Sequence, residues 1–226
     1  MKQNFSLQIS EPRYIKVMGN LVSQSHARAA LIKAGLIAFS RKSFSDISIR
    51  EINELAGQRN RNALQYHFGR KRNLFETVVK DFLKPVSDAQ KLLIDTVSGR
   101  ADLTLDDLMD IYIQPFIQII RFSPNSIKHA KLLSNYIDTL DTPPEFFSAQ
   151  MLDEETSSTL SERLEQLTPE RTDAERRLLL VVSNSILVNT IADLARASEA
   201  GLIDQKDPMY RQILRRMTRA ITALWT

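Results

Sequence analysis

Two glycines constrain what this chain can fold into. Gly57 and Gly69 each follow a short stretch whose apolar residues recur at helical spacing. Each stands where a helix needs a left-handed residue to stop and turn. Before Gly57, the residues Ile49, Ile52, Leu55 and Ala56 form one stripe, opened by Ser48. Ser48 with Glu51 three residues on matches a capping box, in which each side chain accepts a backbone N–H of the other residue. Between the glycines, Leu64 and Phe68 lie four apart on one side of a third helix, with Asn60 as its expected cap. Upstream, Leu31, Ala34, Gly35, Ala38 and Phe39 predict a first helix from Ser25. Gly35 costs that helix something relative to Ala, so it predicts a close approach to a neighbouring helix. Ser43 to Asp46 break the run, leaving Phe44 to pack beneath it. Three short helices with a glycine turn between the second and third make a helix-turn-helix unit.

The free side of the third helix and the turn before it is polar: Arg59, Asn60, Arg61, Asn62, Gln65, Tyr66 and His67. Arg can bond guanine bidentately in a major groove, and Asn or Gln can do the same with adenine, so this set points to duplex DNA. A plainer reading stands beside it, because any small helical bundle exposes polar faces. His67 could equally be a core-edge histidine, and Tyr66 could pack on a neighbour. Ser48 and Arg50 begin the second helix, where unpaired N–H groups favour a phosphate.

Charge separates along the chain. Residues 1–80 hold 14 Lys and Arg against 5 Asp and Glu, net +9, while residues 81–226 hold 16 against 22, net −6. A basic end on an acidic remainder is the footprint expected where one end meets a polyanion. With 43% hydrophobic residues, 6 Gly and 8 Pro, the composition favours an all-α fold with a real core. The chain has no Cys, its longest apolar runs fall short of the roughly 20 residues of a membrane span, and no signal-like apolar run opens it. The expectation is a soluble, cytoplasmic protein that does not enter a membrane.

About nine helices are expected, in three parts: a basic arm over 1–24, a head over 25–71, and a larger helical domain over 72–226. Beyond the head, helices are expected at about 71–97, kinked at Pro85, then at 104–121, 125–139, 144–166, 173–199 and 208–225. The stretch LLLVVSNSILVNTIADL, residues 178–194, is apolar around most of its circumference, so it is buried on more than one side. With the last helix it forms the expected homodimer interface, two helices from each protomer. Polar residues within the apolar stripes could line a small-molecule site: Tyr112, Phe116, His129, Asn135, Tyr136, Phe147, Asn184 and Asn189. For each one, satisfaction within the core or the dimer seam is the competing reading.

The segment GQRNRNALQYHFGRKRNLFETVV, residues 57–79, resembles the TetR family of bacterial transcriptional regulators. The resemblance covers residues 25–80, through ALIKAGLIAFSRKSF, SIREINELAG and above all YHFGRKRNLF; beyond residue 80 it is one of helical pattern. It departs from the family in three places. The segment from Gly57 to Leu64 is one residue longer than the common spacing, Gln65 stands where many members have Tyr, and Ser43 stands at a frequent glycine. The resemblance implies a homodimer on a palindromic double-stranded DNA operator, acting as a repressor released by an unidentified small-molecule effector. It adds His67 and Lys71 as phosphate contacts.

An enzyme is not expected. His26, His67 and His129 are widely separated, and no Gly-rich phosphate loop or metal-ligand motif is present. Asp106, Asp107 and Asp110 read as a solvated helix start, and no metal or cofactor is expected. The alternative to a DNA reader is a helical adaptor whose basic head binds an acidic protein.

Overall fold

The computed structural model describes residues 26–97, 100, 102–123, 125–137 and 154–226. The expected arm over 1–24 and the candidate Phe147 lie outside them. The described residues form helices α1 (His26–Phe39), α2 (Ile49–Leu55), α3 (Ala63–Phe68), α4 (Lys71–Val97), α5 (Leu105–Phe122), α6 (Ser126–Ile137), α7 (Glu154–Leu167), α8 (Asp173–Glu199) and α9 (Pro208–Ala223). The expected helix over 144–166 is described only from Glu154 onward.

Sequence dictates how the head closes. Gly57 and Gly69 both adopt positive φ, 65° and 72°, a region that side chains with a Cβ disfavour. At Gly35 the close approach is real. A Cβ placed there would meet Val78 at 3.2 Å and Leu74 at 3.3 Å, so any other residue would force those side chains back by a few tenths of an ångström. Phe44 does pack beneath the α1–α2 loop, 6.0 Å from the Phe39 ring and 5.2 Å from Phe75, while Phe39 meets Phe75 edge-on at 4.8 Å. The three rings, with Leu31, Ile47, Ile52 and Leu64, form the head end of an apolar core that extends into the body.

Helix α4 continues unbroken through Pro85 and carries the head into the body. There α5 is the central element, with Leu108, Met109, Ile113, Phe116 and Ile120 all buried. It starts at a capping box in which Thr104 and Asp107 satisfy each other's backbone, so Asp107 has a structural task. Helix α8 packs on α6 and α9, and α9 turns Tyr210, Leu214, Met217 and Ile221 inward. By length and composition α8 is apolar enough to cross a membrane, with a mean hydropathy of 1.7 over its most apolar window. Ser183 and Asn184 break it into apolar runs that are each too short to span a membrane. In the fold those two side chains are buried and bonded inside the protein, as in a core helix.

Candidate nucleic-acid interface

The polar segment over 59–68 is held from below by Asn53 on α2. Asn53 is buried, donates from Nδ2 to the Arg61 carbonyl at 2.7 Å, and accepts the Leu64 N–H on Oδ1 at 3.2 Å. Leu64 lies in the first turn of α3, where backbone N–H groups have no partner within the helix. Asn53 therefore caps α3 from a neighbouring helix. Its position in the sequence carried a signal: it follows Ile52 on the inward side of α2, where a polar group must find partners.

Two expected caps are corrected. Asn62 occupies the N-cap position of α3 and Asn60 does not; Asn60 Oδ1 accepts the Asn62 N–H at 2.9 Å and shapes the turn before the helix. At α2, Ser48 Oγ accepts the Glu51 N–H at 3.1 Å, but the reciprocal half of the box is missing. The Glu51 carboxylate meets Lys42 at 3.0 Å instead, because the α1–α2 loop brings that cation alongside.

With Ala63, Leu64 and Phe68 turned inward, the outer side of this segment carries Arg59, Asn60, Arg61, Asn62, Gln65 and Tyr66, all exposed. Tyr66 is 82% exposed and His67 is half-buried, their rings edge-on at 5.0 Å. An exposed tyrosine beside a row of amides and guanidiniums suits a polar surface more than a core. From Ala56 to Phe75 the chain carries five cations and no acid, so this stretch is basic throughout. Ser48 and Arg50 are exposed at the start of α2, with Arg50 bonded to Glu54 at 2.7 Å.

Lys71 is placed differently from its neighbours. Its ammonium donates to the carbonyls of Phe44 and Ile47, both at 2.6 Å, and lies 4.3 Å from the Phe44 ring centroid. Burial pushes its pKa down, with Asp46 acting in the opposite direction. Two of its three donors thus hold the α1–α2 loop onto α4, leaving one for an outside acceptor. Sequence reasoning assigned Lys71 only the outward role.

The residues expected to line a ligand site are not gathered in one chamber. Tyr112 bonds Asn184 within the body, and burial pushes the tyrosine pKa far up. Phe116 is fully enclosed core, and Asn189 accepts from Ser134 at 2.9 Å across the α6–α8 seam. Asn135 points to the head, donating to the carbonyls of Phe39 at 2.8 Å and Lys42 at 3.3 Å at the end of α1. The Tyr136 side chain lies outside the described residues. His129 stacks on Phe82 at 4.5 Å and lines a cavity of about 300 Å³ between α1, α4, α5 and α6.

No family model and no curated protein matches this sequence. Solved structures do. A TetR-family regulator from Mesorhizobium loti is 18% identical and aligns over 89% of this chain and 97% of its own, with a TM-score of 0.48. A second, from Rhodococcus, is 15% identical over 90% of this chain and 100% of its own, TM-score 0.48. NalD, the secondary repressor of the MexAB-OprM multidrug efflux pump in Pseudomonas aeruginosa, is 21% identical over 85% of this chain and 96% of its own, TM-score 0.48. The structural resemblance is to the TetR family. It runs over most of the chain, where the sequence resemblance stopped near residue 80.

Proposed function

We propose that this protein is a TetR-type transcriptional regulator that binds duplex DNA as a homodimer. The observation that carries the proposal is the basic outer side of α3 and its preceding turn, held rigid by Asn53 beneath it. Arg59, Arg61, Asn62 and Gln65 offer the donors and acceptors that base edges require. Ser48, Arg50, Tyr66 and His67 flank them as phosphate contacts, which fix register without reading sequence.

Dimerisation is supported by apolar surface left uncovered on the last two helices. Leu178 is 62% exposed and Val182 36% on α8, one turn apart, and Met209 on α9 is 59% exposed. A second copy seated there would cover them and space two recognition helices for two half-sites. A dimer on a promoter blocks polymerase sterically, which makes repression the simplest mode. A small molecule would release it by favouring a state whose heads no longer match the operator.

The test is selection of bound duplexes from random DNA, followed by salt titration of the selected site. Arg61→Ala and Gln65→Ala should each weaken retention about tenfold or more, consistent with lost base contacts. Tight, salt-insensitive retention after loss of both side chains would defeat the proposal.

A further inference from the structure

The cavity at the junction of head and body has a chemistry of its own. Its walls are apolar through Ile32 and Leu36 of α1, Val78, Phe82 and Pro85 of α4, and Ile119 of α5. Into this lining α4 places one carboxylate, Asp81, half-buried. Four other polar residues line the cavity: Lys33, Ser123, Asn125 and His129. His129 is bonded through Nδ1 to Ser123 Oγ at 3.0 Å, and Lys33 lies on the exposed side of α1. At about 300 Å³ the space is at the small end of ligand sites.

We propose that this cavity binds a small apolar amine, its ammonium paired with Asp81 and its hydrocarbon body against Ile32, Leu36, Phe82 and Pro85. Three observations favour a cation over an anion or a neutral guest. Burial pushes the Asp81 carboxyl up, and the charge of Arg28 offsets that only in part, so an added positive charge relieves a cost already present. His129 is held down to about 4, first by burial and then by Lys128, so it is neutral near pH 7 and does not repel an ammonium. Lys33, the one cation among the lining residues, is exposed, where solvent screens it.

The site also has a lever. Helix α1 is the first helix of the head, and α4 joins head to body, so an occupant touches both parts. The wall residues Ile32 and Leu36 flank Gly35, where α1 lies tightest on α4. This deepens the effector part of the proposed function and rests on that reading for its consequence at DNA, though not for the binding itself.

Calorimetric titration of the full chain with phenylbutylamine, phenylbutanol and phenylbutyrate tests the site. The amine should bind about tenfold more tightly than the alcohol, and the acid more weakly still. Asp81→Asn should reduce amine affinity to that of the alcohol, and Ala29→Phe, at the exposed lip, should weaken all three. Equal binding of the three probes to the unaltered protein overturns the proposal, as does an amine preference that survives Asp81→Asn. Saturating amine should then weaken retention of the selected duplex, and unchanged retention overturns the effector role. If the amine binds through Asp81 but no duplex is ever retained, the site stands and the DNA reading falls. If duplex is retained and the probes bind alike, the site falls and the DNA reading stands.

Discussion

Head and body hold their helices together by different means. In the body, polar side chains inside the core bond one another, as in Tyr112 with Asn184, Trp225 with Ser183 at 3.0 Å, and Ser134 with Asn189. Around the head they reach across to the backbone of a neighbouring element: Asn53 to Arg61 and Leu64, Lys71 to Phe44 and Ile47, and, from the body, Asn135 to Phe39 and Lys42. The reason is size. A unit of three short helices buries too little apolar surface to fix its own geometry, and its helix ends leave many orphan groups for so few residues. Side chains that satisfy those ends also set the angle of the helix they cap. The body has such braces too, Gln90 to the Tyr112 carbonyl at 2.8 Å and Arg171 to the Trp225 carbonyl at 3.1 Å, but its long helices and thick core leave them less to fix.

Removing a brace should therefore cost more than removing an internal pair, and the largest effect is expected at Asn53. Asn53→Ala strands a part-buried carbonyl and a buried N–H at once, a loss of up to about 4 kcal/mol at 1–3 kcal/mol for each unsatisfied group. It also releases the start of α3, so duplex retention should fall much further than stability accounts for. Asn53→Asp keeps the acceptor for Leu64 and should recover part of the loss. Chemical denaturation and duplex binding on the same samples would check both. A variant that unfolds earlier but binds normally once folded would show that Asn53 is only a core residue.

Next in size is a pH effect in the body-side wall of the cavity. His129 has an ordinary value of 6.5 when unfolded and about 4 when folded. On acidification the unfolded chain takes the proton first, so stability falls between about pH 6.5 and 4. The total is about 3 kcal/mol, lost as pH drops and fully present above the unfolded value. Subtracting the profile of His129→Leu from that of the unaltered protein isolates this slope. A difference that is flat over the window would mean the imidazole is as easily protonated folded as unfolded.

The internal pair should give a smaller result. Tyr112→Phe removes the bond to Asn184 and leaves one buried acceptor short of a donor, at about 1–2 kcal/mol. Because no brace to the head is involved, duplex retention without ligand should be unchanged. If Tyr112→Phe lost DNA binding as Asn53→Ala is expected to, the division between head and body would not hold.

The same division explains what could be read from sequence. Gly35, Gly57, Gly69 and Ser48 act within their own helix or turn, or through a bare lack of side chain, so local pattern located them. Leu64 and Phe68 followed from helical period. The braces were hidden because each depends on which element crosses which. Asn135 bonds Phe39, 96 residues away, and nothing near either residue signals it. Lys71 and Asn53 show the intermediate case. Their residue types promised polar contacts, but the partner was a backbone group that only the folded chain brings near. Glu51 turned from Ser48 to Lys42 for the same reason.

The smallest effect on stability, and the cleanest separation of fold from function, is expected at Arg50. Its guanidinium is exposed and bonded one turn on to Glu54, also exposed. Such solvent-screened pairs contribute little to folding, so Arg50→Ala should leave the denaturation midpoint where it is. If Arg50 meets a phosphate at the start of α2, the same change should weaken binding uniformly across duplex sequences. It should also reduce the log–log salt slope by about one per protomer, the mark of a lost counterion-releasing contact. Arg61→Ala should instead change which duplexes are preferred. An Arg50 variant that altered sequence preference but not salt slope would place Arg50 among the base readers and move the phosphate boundary of the interface inward.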